Sequence, residues 1–168
     1  MSLADSADKA DTNVRWAGLT RERFQKMPDT GPHVQLATFC DKVLVERDGV
    51  LSVIRAIDRI MVVAAGQNVP TEIPEGQRVT PTLVVSLRSD QATGRHTVTI
   101  DGEQPDGSHL PTATFDVMFE GADRGVNAVI PMVLEPQEGL YWFNVRLGDQ
   151  LLSRVPLRIM YQRMPTVS

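Results

Sequence analysis

From residue 82 onward, apolar residues recur at every second position, in short runs cut by turn formers. Leu83, Val85 and Leu87 make one such row. His96, Val98 and Ile100 make the next, with Thr97 and Thr99 on the opposite side. Phe115, Val117 and Phe119 alternate with Thr114, Asp116 and Met118, and Val126, Ala128, Ile130, Met132 and Leu134 follow. A period of two means half-buried strands, because successive side chains of a strand point to opposite faces. The breaks "SDQATG" and "DGEQPDGSHLP" are built from residues that favour turns. Many short strands with almost no helix predict an all-β fold, a two-sheet antiparallel β-sandwich of the Ig-like or C2-like kind with about eight strands. A chain of 168 residues, 42% of them hydrophobic, suits one such core.

The two hairpin signals carry register information. In "VQLATFCDKVLVERDGVLSVI" the pair Asp48-Gly49 reads as a two-residue turn, which would pair Val45 with Ser52 and Val43 with Ile54. The stretch 50–63 also fits helical spacing through Val50, Val53, Ile54, Ile57, Ile60 and Met61. Its β-branched content and the flanking turn favour a strand. Near the C-terminus, Tyr141, Phe143, Val145 and Leu147 form one apolar row and Leu151, Val155, Leu157 and Ile159 another, all odd-numbered. A two-residue turn at Gly148-Asp149 would pair odd with even and put Arg154 opposite Phe143. An odd loop of three or five residues, with a bulge at residues 148–150, keeps both rows on one face. Pro156 then predicts an edge or bulged position for the last strand.

Residues 1–33 form an N-terminal arm of different character, with the sandwich spanning 34–161 and a C-terminal tail over 162–168. The first twelve residues are expected to be disordered, since their Asp-, Ala- and Ser-rich composition buries too little to offset ordering entropy. A short helix is expected near 20–27, with Thr20 as N-cap and Pro28 as its stop.

Several classes of function are argued against. A net charge of −4 and interleaved Lys and Arg speak against nucleic-acid binding, which needs clustered positive charge. No apolar run reaches the length of a membrane span, and the N-terminus lacks the pattern of a secretory signal, so the chain reads as cytoplasmic. Cys40 is the single cysteine and excludes an internal disulfide. There is no phosphate-binding loop, dinucleotide fingerprint, HExxH or nucleophile elbow. His33, His96 and His109 are too far apart for a local metal motif, and "DGEQPDG" lacks calcium-loop spacing. No catalytic residue, cofactor, metal site or small-molecule substrate is therefore assigned.

The stretch "CDKVLVERDGVLSVIRAIDRI", residues 40–60, resembles the N-terminal signature of a family of uncharacterised bacterial β-sandwich proteins, a domain of unknown function. The matching positions are Asp48, Gly49, Leu51, Ser52, Val53, Ile54, Asp58, Arg59 and Ile60. "GRHTVTI" matches a second strand of that family, and Pro136, Gly139, Tyr141 and Phe143 match its C-terminal motif. The resemblance covers roughly residues 34–160 and implies a β-sandwich with no catalytic residues to carry over. Arg55 stands where a small residue is expected.

What remains is surface. Tyr141 and Phe143 belong to the core row, so Trp142 faces outward with Asn144 and Arg146. Together with Trp16 and Phe24 of the arm, these residues make a possible partner surface. They suit a non-catalytic interaction or scaffold module that binds itself, as a homo-oligomer, or another protein. The alternative is a carbohydrate-binding module that stacks sugar on Trp142.

Overall fold

A computed structural model describes residues 31–122 and 124–165. The expected disordered segment, the short helix, Trp16 and Phe24 lie outside the described residues. Among the described residues there are nine strands: β1 (His33–Val45), β2 (Leu51–Ile57), β3 (Arg59–Gly66), β4 (Thr82–Arg88), β5 (Thr93–Glu103), β6 (Ala113–Glu120), β7 (Gly125–Pro131), β8 (Gly139–Leu147) and β9 (Gln150–Pro165). They form a four-stranded sheet in the order β2-β1-β4-β7 and a five-stranded sheet in the order β3-β9-β8-β5-β6. The sandwich therefore reaches Pro165, past the boundary expected at residue 161.

The alternating rows do what their period dictates. Leu83, Val85 and Leu87 of β4 meet Val98 and Ile100 of β5, Val117 and Phe119 of β6, and Tyr141, Phe143 and Val145 of β8 in one core. Phe39 from β1 meets the Phe143 ring edge-on, with centroids 4.9 Å apart. Val155, Leu157 and Ile159 close the core from β9. Cys40 is fully buried, and burial pushes its thiol pKa upward, so it packs as a small apolar residue.

The stretch with helical spacing is two strands in two different sheets, joined at Asp58. The hairpin before it differs from its expected register. Val45 pairs with Leu51 and Val43 with Val53, one residue away from the expected pairing. The turn is longer by one residue: the Glu46 N–H donates to the Val50 carbonyl at 2.8 Å, and the Gly49 N–H donates back to the Glu46 carbonyl at 3.0 Å. Gly49 sits at φ 82°, so the loop is a turn closed by a left-handed glycine and not a two-residue hairpin. The aspartate contributes by another route, its carboxylate accepting the Val50 N–H at 3.1 Å. Further along, Arg55 sits at φ 53°, and neither it nor Asp41 appears in the β1–β2 ladder register. Their side chains meet instead, at 3.0 Å.

The C-terminal hairpin sets Phe143 opposite Val155 and Tyr141 opposite Leu157 on the core face, but Leu151, expected in the same row, pairs with Arg146 and is exposed. The device is not an odd loop. Leu147 pairs with Gln150 across a two-residue turn in which Gly148 has φ 54°, and the extra residue is Leu152 of β9, inside the ladder opposite the step from Val145 to Arg146. A bulge restores parity as well as a longer loop does, because each adds one residue to one strand.

β9 is also not a sheet edge, as Pro156 had suggested, and the sandwich is not wholly antiparallel. β3 runs parallel to β9, pairing from Arg59 with Arg158 to Gly66 with Pro165. β8 pairs with β9 from Gln150 to Ile159. One long strand thus passes from one neighbour to the other, sharing them over residues 158 and 159. The Arg158 N–H donates to the Asp58 carbonyl at 2.9 Å. Pro156, two residues earlier, has its nitrogen on the same side, at a level that β3 has not yet reached. Its missing N–H costs no ladder bond there.

Candidate interaction surface

The Tyr141-Trp142-Phe143 triplet divides cleanly. Tyr141 and Phe143 are fully buried, their rings stacked with centroids 6.4 Å apart. The Tyr141 hydroxyl accepts the Gln137 N–H at 2.7 Å, which folds the residues before β8 back against its own start. Burial raises the Tyr141 pKa, and that N–H pulls it the other way. A tyrosine early in this strand, bonded back to its own approach loop, is a corner found in immunoglobulin-type sandwiches. Phe143 then stands two residues on, where antibody domains carry an inter-sheet cysteine. Gly139, at φ 143°, lies under Pro105, and a Cβ there would come within 2.6 Å of the proline ring. The motif of Pro136, Gly139, Tyr141 and Phe143 is accordingly a corner and a core contact.

Trp142, Asn144 and Arg146 share the outer face of the five-stranded sheet, as their parity requires, and each is half-buried. They sit among ionic partners. Asp101 accepts from Asn144 Nδ2 at 2.6 Å and from Arg146 Nε at 2.9 Å. Arg154, on β9, donates to Glu103 at 2.9 Å, and its guanidinium carbon lies 4.3 Å from the Trp142 ring centroid. The polar atoms that could orient a sugar are thus engaged by cross-strand carboxylates, and one face of the indole is covered by a cation. Trp16 and Phe24, outside the described residues, are not placed against this face.

Farther across the same face the character changes. Met61 and Val63 of β3 and Met160 and Met164 of β9 project outward on adjacent strands, each between 37% and 49% exposed. Sequence reasoning passed over them because the β3–β9 pairing that brings them together is non-local. The signal available was the run "RIMVVAAG", which has one charge at its start and none after it. That charge is itself neutralised: Arg59 donates to the Asp58 carboxylate through Nε and Nη2, both at 2.9 Å. The hydrogen bond from Arg59 holds the Asp58 pKa below its ordinary value.

Of the four edge strands, β3 carries the fewest protective features among the described residues. β2 is interrupted by the left-handed Arg55. β6 presents Asp116 and Glu120, and β7 lies beside β6 and ends in Pro131. An edge strand that is apolar after its first residue and has no proline or bulge is a template for pairing with another chain.

Other concave regions hold less chemistry. A groove of about 1110 Å³ lies between the loops around residues 73–78, 104–111 and 133–137. Its titratable lining is Glu75, Arg78 and Glu135, with no histidine, cysteine or hydroxyl nucleophile. Among the described residues no group of three or more His, Cys, Asp and Glu side chains could hold a metal ion. Ser89 is fully buried, but its hydroxyl is used up by the Arg124 carbonyl at 2.7 Å. No helix among the described residues is long and apolar enough to cross a membrane.

A family model described as "Family of unknown function (DUF6941)" matches residues 35–160. The chain belongs to the DUF6941 family. The match covers every strand of the DUF6941 domain at least in part, and β3, the Tyr141 corner and β9 as far as residue 160 lie within it. A comparison with curated proteins finds no match for this DUF6941 chain. Among solved structures it is similar to an immunoglobulin-like protein of Pseudomonas aeruginosa, at 12% identity and TM-score 0.41, covering 79% of this chain and 99% of that one. It is also similar to part of an alkylpurine DNA glycosylase of Pseudomonas fluorescens bound to DNA containing an abasic-site analogue. There the identity is 11% and the TM-score 0.35, with 73% of this chain and 30% of that one covered. The Ig-like character of the DUF6941 domain rests on its own sheets and corner.

Proposed function

We propose that this DUF6941 domain is a non-catalytic interaction module that binds protein by strand addition at the β3 edge. The observation that carries this reading is β3 itself: eight residues, apolar after Arg59, with a Met/Val face beside an open edge. Main-chain hydrogen bonds along such an edge supply affinity, and side chains at alternate positions supply selectivity. Methionine suits the role because its flexible thioether adapts to the surface it meets. The polar centre around Trp142 would form the rim of the contact. A sugar-stacking role for Trp142 is less well supported, since Arg154 and Asp101 already engage the groups it would use.

The test is site-specific photo-crosslinking in cells that express the gene. A photoreactive amino acid at Val63 is expected to give a discrete protein adduct, while one at Met118, an exposed methionine on the opposite edge strand, gives none. No adduct from position 63 would end the strand-addition reading.

A further inference from the structure

We infer that the partner of the β3 edge is a second copy of this chain, paired antiparallel across a two-fold axis through Val62. The inference rests on the strand-addition reading above and specifies its occupant. Because the Asp58 carbonyl faces β9, the even-numbered residues of β3 bond to β9. Arg59, Met61, Val63 and Ala65 therefore direct their N–H and C=O groups to the open side. In an antiparallel pair these four must be the hydrogen-bonded positions. A two-fold at Val62 satisfies that condition, bonding Met61 to Val63 of the partner subunit and Arg59 to Ala65 of the partner subunit.

The side chains in this register are compatible with self-pairing. Ile60 stands opposite Ala64 of the partner subunit on the inner side, a large residue against a small one. Met61 stands opposite Val63 of the partner subunit on the outer side. The charge on β3 meets an alanine and not its own mate, and it is already paired with Asp58 at 2.9 Å. Like charges directly opposed would destabilise a self-paired strand, and this register has none. The outer apolar faces, Met61 and Val63 with Met160 and Met164, become continuous across the axis. Two five-stranded sheets would join into one of ten strands. Both ends of the contact come from the same surface, so the assembly closes as a dimer and does not propagate.

Light scattering on the full chain, up to roughly 100 μM so that a micromolar dimer is detected, should give twice the 18.6 kDa chain mass. Val63→Lys should halve that mass while leaving the circular dichroism unchanged, and Met118→Lys should leave the dimer intact. If Val63→Lys fails to fold, Met61→Lys and Val63→Pro give the same reading; the latter removes an outward N–H without touching the β3–β9 ladder. A dimer that persists in the folded variants overturns the inference. So does a monomeric wild type. A monomer whose position-63 adduct contains a different protein overturns self-pairing and leaves strand addition standing. A monomer whose adduct joins residue 63 to residues 1–30 of its own chain, or that yields no adduct, overturns both.

Discussion

The hydroxyl of Tyr141 accepts the backbone N–H of Gln137 at 2.7 Å, across the corner that leads into β8. The ring is fully buried, whereas Gln137 is exposed, so water can take up its N–H once the oxygen is removed. Tyr141→Phe keeps the packing and deletes that acceptor. It should cost about 0.5–1.5 kcal/mol, the net worth of one hydrogen bond, measured as a lowered urea midpoint at unchanged m-value.

Phe143 and Arg154 test which face is the core. Phe143 touches Phe39 and Tyr141, and Phe143→Ala should cost about 3–5 kcal/mol. Arg154 is on the outer face with an exposed ion pair and a cation over an indole, so Arg154→Ala should cost under about 1 kcal/mol. Equal losses from the two substitutions would contradict the assigned faces.

Arg55 occupies a left-handed conformation that costs a non-glycine residue about 1 kcal/mol or more. Its exposed bond to Asp41 returns less than that. Arg55→Gly should therefore match or exceed the wild type in thermal stability. Arg55→Val should fall below it, because a β-branched residue resists this backbone most. If valine were tolerated as well as glycine, β2 could not be held at this angle.

The loop between β5 and β6 offers a pH readout. The Asp106 carboxylate accepts from the Ser108 hydroxyl at 2.6 Å and from the Ser108 N–H at 2.9 Å. These bonds, the hydroxyl's foremost, lower its pKa below the ordinary 3.8. The folded value lies under the unfolded one, so the contact stabilises the loop above the unfolded value and is lost as pH falls through the folded one. An NMR titration of the Asp106 carboxyl should show a midpoint under 3.8 that moves up in Ser108→Ala. An unmoved midpoint would show that the hydroxyl is not its cause.

Gly139 should not accept a side chain. A Cβ there meets Pro105 at 2.6 Å, and the backbone is one that L residues rarely adopt. Gly139→Ala is expected to lose at least about 1–3 kcal/mol, in the range seen when overpacking combines with backbone strain. The double variant with Pro105→Gly, which removes both the Cβ and the Cγ that the new methyl would strike, should recover part of that loss by melting temperature.

Much of the architecture is a local property of this chain. Period-two rows in β4, β5, β6 and β8 assign faces residue by residue, which is why Tyr141 and Phe143 read as core and Trp142, Asn144 and Arg146 as one outer row. The parity argument at the last hairpin also succeeds, pairing Phe143 with Val155, because two apolar rows must share a face whatever the loop. It does not reveal the device, since a bulge and a longer loop shift parity equally.

Tertiary structure alone decided which strands are neighbours. Alternation says which side of a strand is buried but carries no information about the chain that hydrogen-bonds beside it. Hence the crossing at Asp58, the parallel pairing of β3 with β9, and the passage of β9 from one neighbour to the other were all illegible in the residues. Pro156 shows both halves of this. Its missing N–H announces a position without a partner on one side, and only the assembled sheet shows that this side is open because β3 begins two residues later. The same non-local pairing sets Met61 beside Met160, ninety-nine residues along the chain, and makes an exposed face from residues that by themselves read only as strand.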